Sequence, residues 1–221
     1  MCSTNERWPV MDFAGIAQEH NLRALAVIGS RARGNFTQYS DLDLIGLSDE
    51  AGFRRFSENG LLVELHVAHD VSDWAPKPSW WYALDELQVK IDDGTLSTLP
   101  ALIVQWRRQY CPSLDDVKRN RDWLEAVVRK LRGSASELST AFIISTSMWE
   151  ILAGAFIARD LPVPASSDML RLAPGIVGEG RFETLITGTV DDRRSIALDI
   201  CNEIIEAHNK RVQATQCPAR R

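Results

Sequence analysis

The sequence is poor in the residues that would place it in several large classes. Its four cysteines, Cys2, Cys111, Cys201 and Cys217, stand far apart with no C-x-x-C pair, and its four histidines complete no zinc spacing. A structural zinc site is therefore not expected, and reduced cytosolic thiols are the simpler reading. There is no basic excess: 25 Lys and Arg against 30 Asp and Glu leave a net charge of -5. General affinity for nucleic acid or an anionic membrane, which needs Lys and Arg to neutralise phosphates, is not expected. Internal repeats and low-complexity tracts are missing as well. So is a convincing membrane span, because the longest nearly uncharged run, Leu138 to Ala158, carries Ser139, Thr140, Ser145, Thr146, Ser147 and Glu150. That run reads as a buried helix. The opening MCSTNERWPV lacks the basic and then apolar order of a secretory signal, so a cytoplasmic protein is the expectation.

What the chain does contain is an ordinary globular composition, 45% hydrophobic and 25% charged over 221 residues. That is enough for one large domain or two small ones. Periodicity predicts a first helix capped by Asp12 and running to about Asn21, then a strand Ala24 to Ile28. A second strand, Asp41 to Leu47, follows a polar loop. Ser48 then reads as the cap of a helix ended by Gly60, and a third strand spans Leu61 to Ala68. In that strand Leu61, Val63, Leu65 and Val67 share one face, leaving Glu64 and His66 on the other. The segment KPSWWYALDEL reads as a short helix whose Trp80, Trp81 and Tyr82 pack the core or stack on a base. A strand Gln88 to Ile91, an Asp92-Asp93-Gly94 turn and a helix capped by Ser97 complete this half. From Cys111-Pro112-Ser113 onward only helices are expected: one from the Ser113/Asp116 capping box to about Arg132, and one from Ser136 to about Arg159. A short helix near Met169 to Leu172, a Gly-rich turn, a long helix from about Asp191 to Val212 and a frayed tail QCPARR follow. The fold class is α+β: a small mixed β-sheet flanked by helices over residues 1–112, then an all-helical domain over 113–221.

The chemistry concentrates in LAVIGSRARGNFTQYSDLDLIGL, from Leu25 to Leu47. Residues two apart on a strand point to one face, roughly 6.5 to 7 Å apart, so Asp41 and Asp43 project together. Such an oxygen-rich pair suits a hard divalent cation that shares its shell with substrate phosphates. Gly29 allows close backbone approach to a ligand, and Ser30 can cap a short helix whose free N-H groups suit a phosphate. Arg31 and Arg33 either add forked phosphate contacts or form a solvated basic loop.

Gly29-Ser30, ten intervening residues and Asp41-Leu42-Asp43-Leu44 together resemble the signature of the nucleotidyltransferase superfamily. That superfamily includes DNA polymerase beta, kanamycin nucleotidyltransferase and the minimal bacterial nucleotidyltransferases, and the wording GSRARG...YSDLDL looks most like the bacterial members. The resemblance implies that a nucleoside triphosphate such as ATP rests its phosphates on Gly29-Ser30, with Arg31 and Arg33 near them. It implies that Asp41, Asp43 and a third carboxylate hold one or two Mg²⁺ ions. Glu64 in LLVELHV resembles that third ligand; otherwise it is an exposed strand acid, and His66 beside it reads as a hydrogen-bonded strand histidine.

Glu150 is the only charged side chain between Glu137 and Arg159. An unpaired carboxylate buried in such a helix would cost several kcal/mol, so it should face a partner, a cleft or water. Thr146, Ser147 and Gly154 make a small, polar stripe beside it. Kanamycin-type enzymes use a glutamate of the helical domain as general base for the acceptor hydroxyl, and Glu150 matches it by position alone; an ion pair with an arginine is the alternative. Three functions follow from the resemblance. One is transfer of a nucleotide to a hydroxyl of a small molecule, such as an aminoglycoside or lincosamide antibiotic, with release of pyrophosphate; this is the activity of antibiotic-resistance enzymes. A second is antitoxin-like modification of a protein or RNA partner, although the helical half lacks an R-x(4-6)-H motif. The third is a non-catalytic nucleotide-binding module. No membrane partner and no particular oligomeric state follow from the sequence.

Overall fold

The computed structural model describes residues 11–216. Cys2, Cys217, the N-terminal segment read for a signal and residues 217–221 of the predicted tail lie outside them. The chain divides into two compact units, Met1–Arg108 and Gln109–Arg221.

The first unit is built on a five-stranded mixed sheet in the order β3-β4-β2-β1-β5. Helix α1 (Phe13–Glu19) is capped by Asp12, whose carboxylate accepts from the Gly15 amide at 2.9 Å. Strand β1 (Ala24–Ile28) is entirely buried and pairs antiparallel with both β2 (Leu42–Leu47) and β5 (Gln88–Ile91). One face of the sheet, with Leu25, Val27, Leu42, Leu44, Val63 and Leu65, packs with Ile16 and Ala17 of α1. Ile45 and Leu47, on the other face of β2, are fully buried as well. A strand buried on both faces reads as a continuous apolar run. That is how LAVI and LIGL stand in the sequence, so a polar side chain in such a strand marks an opening in the packing.

One predicted helix is absent. Residues that read as a helix from Ser48 form β3 (Gly52–Glu58), an antiparallel hairpin partner of β4 (Leu61–Ala68). Asn59 and Gly60 make the connection with φ of 50° and 78°. A two-residue Asn-Gly turn whose residues both have positive φ matches the twist of the flanking strands, and it outweighs the helical reading of Gly60 as a stop. One cap and one short helix also differ. The turn before α4 (Leu99–Gln109) is held by Asp92, whose carboxylate accepts from the amides of Leu96 at 2.9 Å and Ser97 at 3.0 Å, rather than by Ser97. The aromatic segment forms two short turns, 3-10 at Pro78–Trp80 and α3 at Trp81–Leu84. Trp81 is a core residue whose indole N-H donates to the Trp74 carbonyl at 3.0 Å, while Trp80 is only half-buried.

The second unit is helical: α5 (Leu114–Gly133), α6 (Glu137–Ile157), α7 (Ser166–Val177), α8 (Glu179–Thr187) and α9 (Val190–Gln216). Ser113 caps α5 by accepting from the Asp116 amide at 3.0 Å, and Ser136 caps α6. The predicted Gly-rich turn after Met169 is largely helical. Helix α7 runs through Pro174, and Gly178, at φ 95°, joins it directly to α8. Helix α6 is long and apolar enough by composition to cross a membrane, but Ile151 to Ile157 are all buried within this unit.

Candidate active site

The motif occupies adjoining pieces of backbone at one end of the sheet. Strand β1 ends at Ile28, which lies opposite Asp43, and Gly29 follows with φ 73°. That conformation suits glycine. A Cβ at position 29 would also collide with the Asp43 carboxylate. Gly29 thus lets the turn and the carboxylate share one place. Helix α2 (Gly29–Arg33) begins there and ends at Gly34, φ 76°. Its cap position is Ile28, and no side chain caps it. The expectation that Ser30 caps this helix is therefore corrected: Ser30 lies inside the first turn, which the positive φ of Gly29 allows to start without a capping side chain.

Strand β2 begins at Leu42, so Asp41 sits just outside the ladder with its side chain exposed, while Asp43 is half-buried. In the parallel pairing of β2 with β4, Asp43 lies opposite Glu64; in the antiparallel pairing of β4 with β3, Glu64 lies opposite Arg55. Paired residues point to the same face of a sheet, with strands roughly 4.8 Å apart. Asp43, Glu64 and Arg55 therefore form one row, and Arg55 holds Glu64 in an ion pair. Burial above all pushes the Asp43 carboxyl above the usual carboxylate range. The charges of Glu64 and Asp41 push the same way, against Arg33 and Arg31.

The two motif arginines are not a solvated basic loop. Arg31 is 3% exposed, and its guanidinium donates to the carbonyls of Ser40 and Asp41. Arg33, with a side chain 12% exposed, pairs with Glu86 at 3.5 Å. On the face of Glu64, the His66 ring lies edge-on to Trp80, centroids 4.4 Å apart, and tilted on Phe53 at 4.7 Å. Burial lowers its pKa. His66 is an aromatic spacer behind the carboxylates, and Trp80 packs on it.

Three oxygen-donor carboxylates, one of them with its pKa raised by burial first and by its like-charged neighbours second, offer the donor chemistry that a hard divalent cation takes. Among the described residues no three His, Cys, Asp or Glu side chains are already gathered as a metal cluster, and Glu64 is turned to Arg55. The donor set fits Mg²⁺ once Glu64 leaves that ion pair. Arg55 is the site neighbour that sequence reading missed, and the signal for it was Asn59-Gly60, which would have set β3 beside β4.

Glu150 belongs to the second unit. It is half-buried on α6 and lines a cavity of about 150 Å³ with Asp116, Arg119, Asn120, Trp123 and Ile157. Arg119 pairs with Asp116, and among the described residues the Glu150 carboxylate enters no ion pair. The stripe beside Glu150 is mostly packing. Ser147 is buried, Thr146 donates back to the Phe142 carbonyl at 2.8 Å, and Gly154 abuts Asn120.

A family model described as a nucleotidyltransferase domain matches residues 10–145. No curated protein matches the chain. Among solved structures, a nucleotidyltransferase-like protein from Exiguobacterium sibiricum 255-15 is similar at 14% identity and a TM-score of 0.40, covering 94% of this chain and 79% of that one. With the model spanning most of the chain, the protein belongs to the nucleotidyltransferase domain family, transferases that move a nucleotidyl group.

Proposed function

We propose that the protein transfers a nucleoside monophosphate, AMP from ATP, to a hydroxyl of a small molecule and releases pyrophosphate. The observation that carries this reading is the meeting of Gly29 and Asp43, where only a residue without a side chain fits against the carboxylate that pairs across the sheet with Glu64. The turn at Gly29-Ser30 offers backbone to the triphosphate, and Asp41, Asp43 and Glu64 are the residues that would hold Mg²⁺. When bound, Mg²⁺ neutralises charge on the attacking and leaving oxygens. The protein's own part is to hold the triphosphate and the acceptor in line, which removes much of the entropic cost of bringing two partners together. Release of Glu64 from Arg55 completes the carboxylate set and leaves the Arg55 guanidinium next to an anionic substrate.

The helical unit is read as the acceptor-binding domain, with Glu150 as the general base that takes the acceptor's proton. Its cavity is lined by Trp123, the Asp116–Arg119 pair and the Glu150 carboxylate, and that one carboxylate outside an ion pair favours an acceptor carrying hydroxyl and amino groups, of the aminoglycoside or lincosamide kind. Incubation with α-labelled ATP, Mg²⁺ and panels of aminoglycosides, lincosamides, total RNA and lysate protein tests the reading. Label on a small molecule supports it. Label on RNA or protein replaces it with antitoxin-like modification, and no label anywhere leaves a nucleotide-binding module.

A further inference from the structure

Asp41 and Asp43 are held in different ways. Asp43 lies in the ladder, paired with Ile28 on one side and Glu64 on the other. Asp41 precedes β2 and has no ladder partner, at the end of a polar loop that starts at Gly34. What meets its backbone is Arg31: Nε donates to the carbonyls of Asp41 and Ser40, both at 3.1 Å, and Nη2 donates to Ser40 at 2.7 Å. The guanidinium lies over the Phe36 ring, Cζ 4.7 Å from its centroid. A buried arginine hydrogen-bonded to main-chain carbonyls is costly to desolvate, and its role here is geometric. Nε and Nη2 converge on the Ser40 carbonyl and Nε is shared with that of Asp41, a planar arrangement of donors that the lysine ammonium does not have.

We propose that Arg31 is a positioning residue. Through the Ser40 and Asp41 carbonyls it fixes the exposed Asp41 carboxylate beside Asp43, as the sheet fixes Asp43 itself. This inference rests on the proposed metal role of Asp41 and Asp43.

Mn²⁺ binding without nucleotide, followed by the loss of its free EPR signal, tests the assignment. The wild type, Asp41→Asn, Arg31→Met, Arg31→Lys, the double variant Arg31→Met/Asp41→Asn and a core control, Ile103→Val, are compared, with thermal melts of each. Removal of a group that orients a metal ligand weakens metal binding about 10- to 100-fold. Both Arg31 variants are expected to do so, and the double variant is expected to bind no more weakly than Asp41→Asn alone, because both changes disable one ligand. Ile103→Val is expected to lose stability and keep its Mn²⁺ affinity. Should Arg31→Met not fold, Arg31→Lys decides. Arg31 variants that melt lower but bind Mn²⁺ like the wild type, or that add fully to Asp41→Asn, overturn the positioning role alone. A wild type that binds no Mn²⁺ overturns the metal reading and the Arg31 assignment with it.

Discussion

At the residue scale, Asp43 carries two conflicting demands. Its side chain is half-buried beside Glu64 and Asp41, which raises its pKa, yet the proposed chemistry needs it ionised. A bound cation reconciles the two, and Asn, which keeps the shape without the charge, does not. Asp41→Asn and Asp43→Asn are expected to abolish nucleotidyl transfer while leaving the melting temperature and circular dichroism near those of the wild type. Gly29→Ala puts a methyl group on the Asp43 carboxylate in a backbone conformation that disfavours it. It should cost about 1–3 kcal/mol of stability as well as activity, which a denaturant titration reads directly. The pair of carboxylates and the glycine were legible in the sequence because spacing on a strand and the need for close approach are local properties. The setting of Arg31 was not, because its partners lie nine and ten residues away, at the far end of a loop whose closure no periodicity reveals. Cysteine chemistry divides in the same way. Cys201 is buried, and burial pushes its thiol up to about 12, whereas Cys111 is exposed. Iodoacetamide at pH 8, with peptide mapping, should label Cys111 in the native protein and Cys201 only after unfolding.

At the element scale, the strands with apolar runs or apolar alternation announced themselves: β1, β2, β4 and β5 lie within a residue of where the pattern puts them. Strand β3 did not, since GFRRFSE is mostly exposed at the sheet's edge and carries no apolar face to read. Only the Asn-Gly turn betrayed it. With β3 missed, Arg55 and its hold on Glu64 were out of reach. In the helical half the long helices and the Ser113 and Ser136 caps were legible from local hydrogen-bonding chemistry, while the join of α7 to α8 was hidden behind Pro174 and Gly178, residues that usually punctuate. Helix α6 packs on α5 at Gly154, where a Cβ would stand 2.5 Å from Asn120 Oδ1. Gly154→Ala should therefore destabilise the protein by about 1–3 kcal/mol, although alanine is the better helix former. Equal or greater stability of that variant would contradict the packing. On the same helix, Glu150→Gln is expected to lower kcat about 10²- to 10⁴-fold with the KM for the nucleotide unchanged, the mark of a lost general base.

At the scale of the whole molecule, two compact units carry different kinds of chemistry. The sheet unit holds every residue of the nucleotide motif, and the helical unit holds Glu150, its cavity and a buried polar link. In that link the His208 ring, 1% exposed, shares a 3.0 Å hydrogen bond with Asn120, which in turn donates to the Glu150 carbonyl at 3.2 Å. Burial, with Arg211 and Arg121 nearby, lowers the His208 pKa to about 4. The unfolded chain takes up this proton near pH 6.5 and the folded one near 4, so stability is full above about 6.5 and falls as the pH drops toward 4, by up to about 3 kcal/mol. Urea unfolding at pH 8, 6.5 and 5 should show this slope in the wild type and a shallower one in His208→Gln; equal slopes would refute the assignment. The central claim concerns the other unit, that Asp43 beside Gly29 serves nucleotidyl transfer. Its most direct test is Mg²⁺-dependent release of pyrophosphate from ATP, coupled to transfer of the α-labelled nucleotide, compared between the wild type and Asp43→Asn. The account predicts transfer by the wild type and none by a folded Asp43→Asn; equal transfer by both would contradict it.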